Sequence, residues 1–189
     1  QLAEYITEQG NPGNEKGVIE ARVELPAPFL RRGLHFVDTP GVGSAQTANT
    51  ETTYAFLPQA DAVIFVTSVE APLSEVEESF LRDIRQHVRR LFIVVNKIDL
   101  LAAHERTQVL AYARAVLTRT LGTEPRVYPV SARQALAARL RGDDADLQAS
   151  GLTELETELA AFLSLESGPT FLVSILDRAL RLLDEPCAM

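Results

Sequence analysis

Five short apolar runs, each bounded by turn-forming residues, limit what this chain can fold into. They lie at Val18 to Leu25, Leu34 to Val37, Ala62 to Thr67, Leu91 to Val95 and Arg126 to Val130. Helical patterns occupy Thr50 to Leu57, Ser74 to Val88, Glu105 to Leu121 and Gly151 to Leu163. Short apolar runs that alternate with helical segments predict an α/β domain, a mostly parallel sheet with helices on both faces. In such sheets ligands sit beyond the carboxyl ends of the strands, so the residues that follow each run carry the functional reading.

Three sets of residues stand at those ends. Asp38-Thr39-Pro40-Gly41 follows Leu34 to Val37, Asn96-Lys97-Ile98-Asp99 follows Leu91 to Val95, and Ser131-Ala132 follows the last run. A carboxylate at a strand end can hold a water of a magnesium ion, and a glycine three residues on lets a backbone N–H reach a terminal phosphate with no Cβ in the way. Asp38 and Gly41 are the candidates for those two tasks. Asp99 can accept two hydrogen bonds from the adjacent N–H donors of a guanine edge, a contact that adenine cannot make. Asn96 would tie the loop together and add a polar contact to the base. The stem of Lys97 would lie along the ring or ribose, and Ser131 and Ala132 would bring a backbone N–H to the guanine carbonyl. The chain holds sixteen Arg and two Lys, yet position 97 is Lys, which suits a thin stem better than a fork. By chance the three fixed residues of N-K-x-D occur in roughly two chains of this length in a hundred, so this motif carries the reading.

Other features are read more plainly. Gly10-Asn11-Pro12-Gly13-Asn14 is dense in turn formers and is read as a loop; an alternating run rather than a helix follows it, unlike a phosphate loop. The acidic cluster Asp143, Asp144 and Asp146 lacks the glycine and distal Glu of a calcium loop and is read as solvated. His35, His87 and His104 have no ligand or triad spacing. The net charge of −8 disfavours nucleic acid as a partner, because a polyanion has to be met by a basic face. Cys187 is the single cysteine, so no internal disulfide forms, and no apolar run approaches the ~20 residues that span a bilayer. A cytoplasmic location is the expectation.

D-T-P-G, N-K-I-D and S-A, in that order after strands, resemble the pattern of translation-factor-class GTPases. The stretch G-N-P-G-N-E-K-G-V, with V-D-T-P-G-V-G-S after it, is similar to the bacterial dynamin-like proteins. The resemblance covers about residues 1 to 165. It implies a P-loop GTPase-type fold with GTP or GDP and Mg2+ as cofactors. Asp38 would serve magnesium through water, Gly41 the γ-phosphate, and Asn96, Lys97 and Asp99 the guanine, assisted by Ser131 and Ala132. For the intact protein it implies GTP hydrolysis that drives membrane remodelling, peripheral association with the inner membrane face, and homo-oligomers.

The chain departs from that family in one respect. No G-x-x-x-x-G-K-[ST] occurs in these residues, and the threonine-bearing first switch cannot be located. In the family that loop holds most of the phosphate, and its strand lies at the centre of the sheet. With the chain starting at Gln1, the expectation is an N-terminally truncated GTPase domain over residues 1–166 that reads guanine without catalysing. The alternative is a degenerate GTPase fold used as a scaffold, which predicts loss of the intact N-K-I-D. Residues 167–189 are expected to begin a helical stalk: Gly168-Pro169 reads as a hinge, and Phe171 to Leu183 carries apolar residues at helical spacing. Its uncovered stripe predicts self-association.

Overall fold

The computed structural model describes residues 2–7, 9–24, 35–39 and 53–166. The chain divides into two units between Asp38 and Thr39.

In the first unit, Ala3–Ile6 forms a single turn of helix, α1. The loop after it is organised by Asn11, which is buried. Its Nδ2 donates to Tyr5 O at 2.8 Å and to Asn14 Oδ1 at 2.9 Å, and its Oδ1 accepts from Lys16 N at 2.9 Å. Gly13 and Asn14 both turn through positive φ of 55°, which the residue types predicted for this loop tolerate. The Lys16 ammonium donates to the carbonyls of Glu4 and Gly10. It is thus spent on the loop's own backbone, in keeping with a turn rather than a phosphate cradle.

Two expected strands are not formed here. Residues 17–24 and 35–39 lie outside any ladder, and Ile19, Val23, Phe36 and Val37 are exposed. An apolar run becomes a strand only where another strand lies in register beside it, and the described residues of these segments join no ladder.

The second unit carries the expected α/β pattern. Strands β1 (Ala62–Ser68), β2 (Arg90–Asn96) and β3 (Val127–Val130) form a parallel sheet in the order β1-β2-β3. Helix α2 (Glu75–Ile84) connects the first two strands, and α3 (Ala103–Leu121) the second and third. Beyond β3 come α4 (Ala132–Arg141), α5 (Asp144–Ala149) and α6 (Leu152–Glu166). Residues 53–56 make one helical turn that runs into the 3-10 turn Leu57–Gln59.

Alternation along β2 divides the core. Ile93 and Val95 face one way and pack with Phe65, Phe80, Leu81, Ile84, Ala113, Val116 and Leu117, so α2 and α3 cover that face. Phe92 and Val94 face the other way, with Tyr128, Val130 and Leu155, and Leu152, Leu159 and Phe162 of α6 close over them. Phe92 meets Phe162 edge-on, with ring centroids 5.9 Å apart. Helices therefore lie on both faces, which is why β2 reads as an unbroken apolar run.

Local signals set the ends. Ser74 and Glu77 form a reciprocal capping box at the start of α2, Ser74 N donating to Glu77 Oε2 at 2.8 Å and Glu77 N to Ser74 Oγ at 3.4 Å. Gly122 and Gly142 end α3 and α4 in the left-handed conformation. The sequence reading missed α4 and α5. The acidic cluster read as a solvated loop is instead a helix start: Asp143 Oδ1 accepts from Asp146 N at 3.0 Å and caps α5.

Gly151 joins α5 to α6 at φ 77°, where a Cβ would lie 2.1 Å from the Pro129 carbonyl oxygen. Only glycine lets this turn press against β3. One residue earlier, Ser150 O accepts a hydrogen bond from Ser131 N at 2.8 Å. Gly168-Pro169 and Phe171 to Leu183 lie outside the described residues.

Candidate functional site

Sheet register places the site. β1 and β2 pair from Ala62 opposite Arg90 to Ser68 opposite Asn96, and β2 and β3 end with Asn96 opposite Val130. Because all three strands are parallel, the segments after Ser68, Asn96 and Val130 emerge on one rim. Two of the three sequence sets therefore meet there.

Asn96 joins them. Its Oδ1 accepts from Lys97 N at 2.8 Å and from Ala132 N at 3.1 Å, so one amide oxygen bridges the loops after β2 and β3. The first of these bonds accompanies an unusual backbone. Lys97 sits in the left-handed region at φ 67°, uncommon for a residue with a Cβ, and leads into the 3-10 turn Ile98–Leu100. Leu100 N closes that turn on Lys97 O at 3.0 Å. Ile98 is buried and anchors it, while Leu100 stays exposed.

Asp99 is the second bridge. Its Oδ1 accepts from the Ser131 hydroxyl at 2.6 Å, and its Oδ2 from an Arg133 guanidinium nitrogen at 2.6 Å. Ser131 is fully buried, and its hydroxyl oxygen also accepts from Gln134 N at 3.1 Å as the N-cap of α4. The same hydroxyl thus starts a helix and orients a carboxylate. Hydrogen bonding from Ser131, with a smaller contribution from Arg133, holds the Asp99 carboxyl below its ordinary range against the opposing effect of burial. Asp99 is a fixed anion at neutral pH.

Lys97 points elsewhere. Its ammonium pairs with Glu70, which lies just past β1. Glu70 is held in turn by Ser68, whose hydroxyl donates to Oε2 at 3.2 Å. Hydrogen bonding from Lys97, then from Ser68, lowers the Glu70 pKa. Asn96, Lys97, Asp99, Leu100 and Arg133 line an open cleft of about 310 Å3. With the lysine head tied to Glu70, what borders the cleft is a carboxylate paired with the Arg133 guanidinium, an amide, the Lys97 stem and an apolar side chain. That set suits a flat heterocycle with hydrogen-bond donors on one edge better than a phosphate.

Of the predicted site residues, Asn96, Lys97, Asp99, Ser131 and Ala132 are brought together. Asp38 closes the first unit with an exposed side chain, and Gly41 lies outside the described residues. No group of three or more His, Cys, Asp or Glu that could hold a metal occurs among the described residues. The sequence reading missed Arg133 and Glu70. Both were findable from the rule it already used, since Glu70 follows an apolar run and Arg133 follows Ser131-Ala132.

Comparison with known proteins gives the family. Residues 1–99 match the Dynamin family. The chain belongs to that family. Strands β1 to β3 with the helices around them have the α/β fold of a dynamin-like GTPase domain. An uncharacterized protein encoded in the xynA 3' region of Caldicellulosiruptor sp. (strain Rt8B.4) is 36% identical over 175 residues, covering 92% of this chain and 44% of that protein. A probable transmembrane GTPase, FZO-like and chloroplastic, from Arabidopsis thaliana is 37% identical over 118 residues, covering 61% and 13%. A solved structure of an oligomerised bacterial dynamin pair shares the fold at a TM-score of 0.56 and 22% identity, covering 77% of this chain and 26% of that one. This chain thus spans less than half the length of each of these proteins.

Proposed function

We propose that this chain carries the guanine-reading half of a dynamin-like GTPase site. Asp99 accepts from the N–H donors of the guanine edge, the stem of Lys97 lies along the ring, and the Ala132 N–H, which donates to Asn96 Oδ1, is shared with the guanine carbonyl, while Ser131 N stays bonded to Ser150 O. Asn96 holds the two loops at the spacing the base requires. The observation that carries this reading is the double bridge, Asn96 to Ala132 and Asp99 to Ser131, which joins two motifs that lie far apart in sequence.

The phosphate end of the reading rests on Asp38 and Gly41. Asp38 is exposed, and Mg2+ is commonly held by one or two carboxylates together with the substrate's phosphates. The ion would neutralise phosphate charge during hydrolysis. These residues contain no phosphate-loop lysine motif, so the 189-residue chain is proposed to bind the base without hydrolysing GTP. For the intact protein we propose GTP hydrolysis coupled to membrane remodelling, in the cytoplasm and against the inner membrane face, with copies of itself as partners. No described helix is long and apolar enough to cross a membrane. Residues 1–166 would form the GTPase portion, and residues 167–189 the start of a helical stalk.

Calorimetric titration of the full-length protein with GDP and with ADP, in magnesium, tests the reading. Saturable binding of GDP with refusal of ADP is expected, and Asp99→Ala should abolish the preference. A folded protein that takes neither nucleotide, or takes both equally, overturns it.

A further inference from the structure

The carboxylate that would read guanine is already engaged. Asp99 Oδ2 accepts from Arg133 at 2.6 Å, and with Ser131 on Oδ1 only 16% of the Asp99 side chain is left exposed. The arginine itself is 80% exposed and borders the same cleft. One N–H of its planar guanidinium meets Oδ2 of the carboxylate, an oxygen that guanine would reach with its ring N–H or exocyclic amine.

Arg133 is also badly placed for any purely local role. It stands in the first turn of α4, where the positive end of the helix dipole disfavours a cation. The other cation of the cleft, Lys97, is held by Glu70 on the neighbouring loop, so among the described residues Arg133 is the cation that pairs with Asp99.

We propose that Arg133 is an internal stand-in for the guanine edge, which an incoming base must displace from Asp99, and that it thereby sets how fast and how selectively nucleotide enters. This rests on the guanine reading above. A base that offers paired donors replaces what the carboxylate loses when the arginine leaves. Adenine offers no such pair to Asp99, so it meets an arginine it cannot displace. No bond is made or broken covalently, and the freed guanidinium passes into solvent at the mouth of the cleft.

The test is stopped-flow association of fluorescent GDP with the full-length protein, for the parent, Arg133→Leu and Arg133→Gln, at low and high salt. Both substitutions remove the charge at a side chain that is mostly exposed, so folding is preserved and each checks the other. Association is expected to quicken several-fold in both variants at low salt, and the gap to the parent to close at high salt, where the competing ion pair is screened. Fluorescent ADP, refused by the parent, should gain measurable binding in the variants. Association rates that are equal to or slower than the parent's, with no salt-dependent convergence, overturn the proposal while GDP binding by the parent leaves the guanine reading intact. Failure of the parent itself to bind GDP at any concentration overturns both, and is told apart by the parent's titration alone.

Discussion

The Oδ1 atom of Asn96 lies 3.1 Å from Ala132 N and 2.8 Å from Lys97 N, and accepts from both. One side chain thereby fixes the left-handed turn at Lys97 and fastens it to the start of α4. Asn96→Ala removes both bonds and leaves two N–H donors to find water. A stability loss of about 1–3 kcal/mol in urea denaturation is expected, together with weaker GDP binding by the full-length protein. Unchanged affinity would show that the bridge serves the fold alone.

Ser131→Ala strips a buried hydroxyl of two partners, the Asp99 carboxylate and Gln134 N. Loss of an N-cap together with a charge-assisted bond should cost about 1–3 kcal/mol. Because Ser131 contributes most to lowering the Asp99 pKa, the carboxyl should also titrate at higher pH in the variant. Carboxyl carbon NMR of the two proteins reads this directly.

Acid should weaken the same bridge, and the direction follows from linkage. Asp99 is held below its ordinary value in the folded chain, so its stabilising contribution is present above the unfolded value of about 3.9 and is lost as pH falls through the folded one. The stability difference between the parent and Ser131→Ala should therefore be full at neutral pH and shrink as the carboxyl protonates. Urea midpoints measured from pH 7 down to pH 2 give the profile. A difference that stays constant would mean that the hydroxyl acts only as a helix cap.

Glu70→Gln separates positioning from stability. The Glu70–Lys97 pair is half exposed on both sides, a setting in which ion pairs add little to stability, so the denaturation midpoint should hardly move. What changes is the aim of Lys97, whose stem no longer has a fixed far end. GDP should then dissociate several-fold faster from the full-length protein, and Glu70→Asp should restore part of the difference.

Gly151→Ala tests the turn behind the site. The added Cβ meets the Pro129 carbonyl oxygen at 2.1 Å on a backbone held at φ 77°. Left-handed strain and the clash together should cost at least about 2 kcal/mol. Since Ser150 O accepts from Ser131 N, the displaced turn should also disturb Ser131, visible as shifted amide resonances at residues 131 and 132.

The sequence by itself determined the α/β class, the three strands of the second unit, the helices between them and most of the rim. Those signals are local: apolar runs of strand length, helical spacing, and Asn96, Lys97, Asp99, Ser131 and Ala132 standing where strands end. α4 and α5 were not legible, because α4 is rich in Ala and Arg with little apolar contrast, and α5 begins in carboxylates that look solvated until Asp143 caps it. Val18 to Leu25 and Leu34 to Val37 look like strands from their own residues, but their described residues join no ladder, and partnership is not written in a segment's own residues. The same reason applies to Arg133 and Glu70. Their types and positions were in plain view, yet that one occupies Asp99 and the other holds Lys97 was decided by the parallel register that brings three separate loops to one edge.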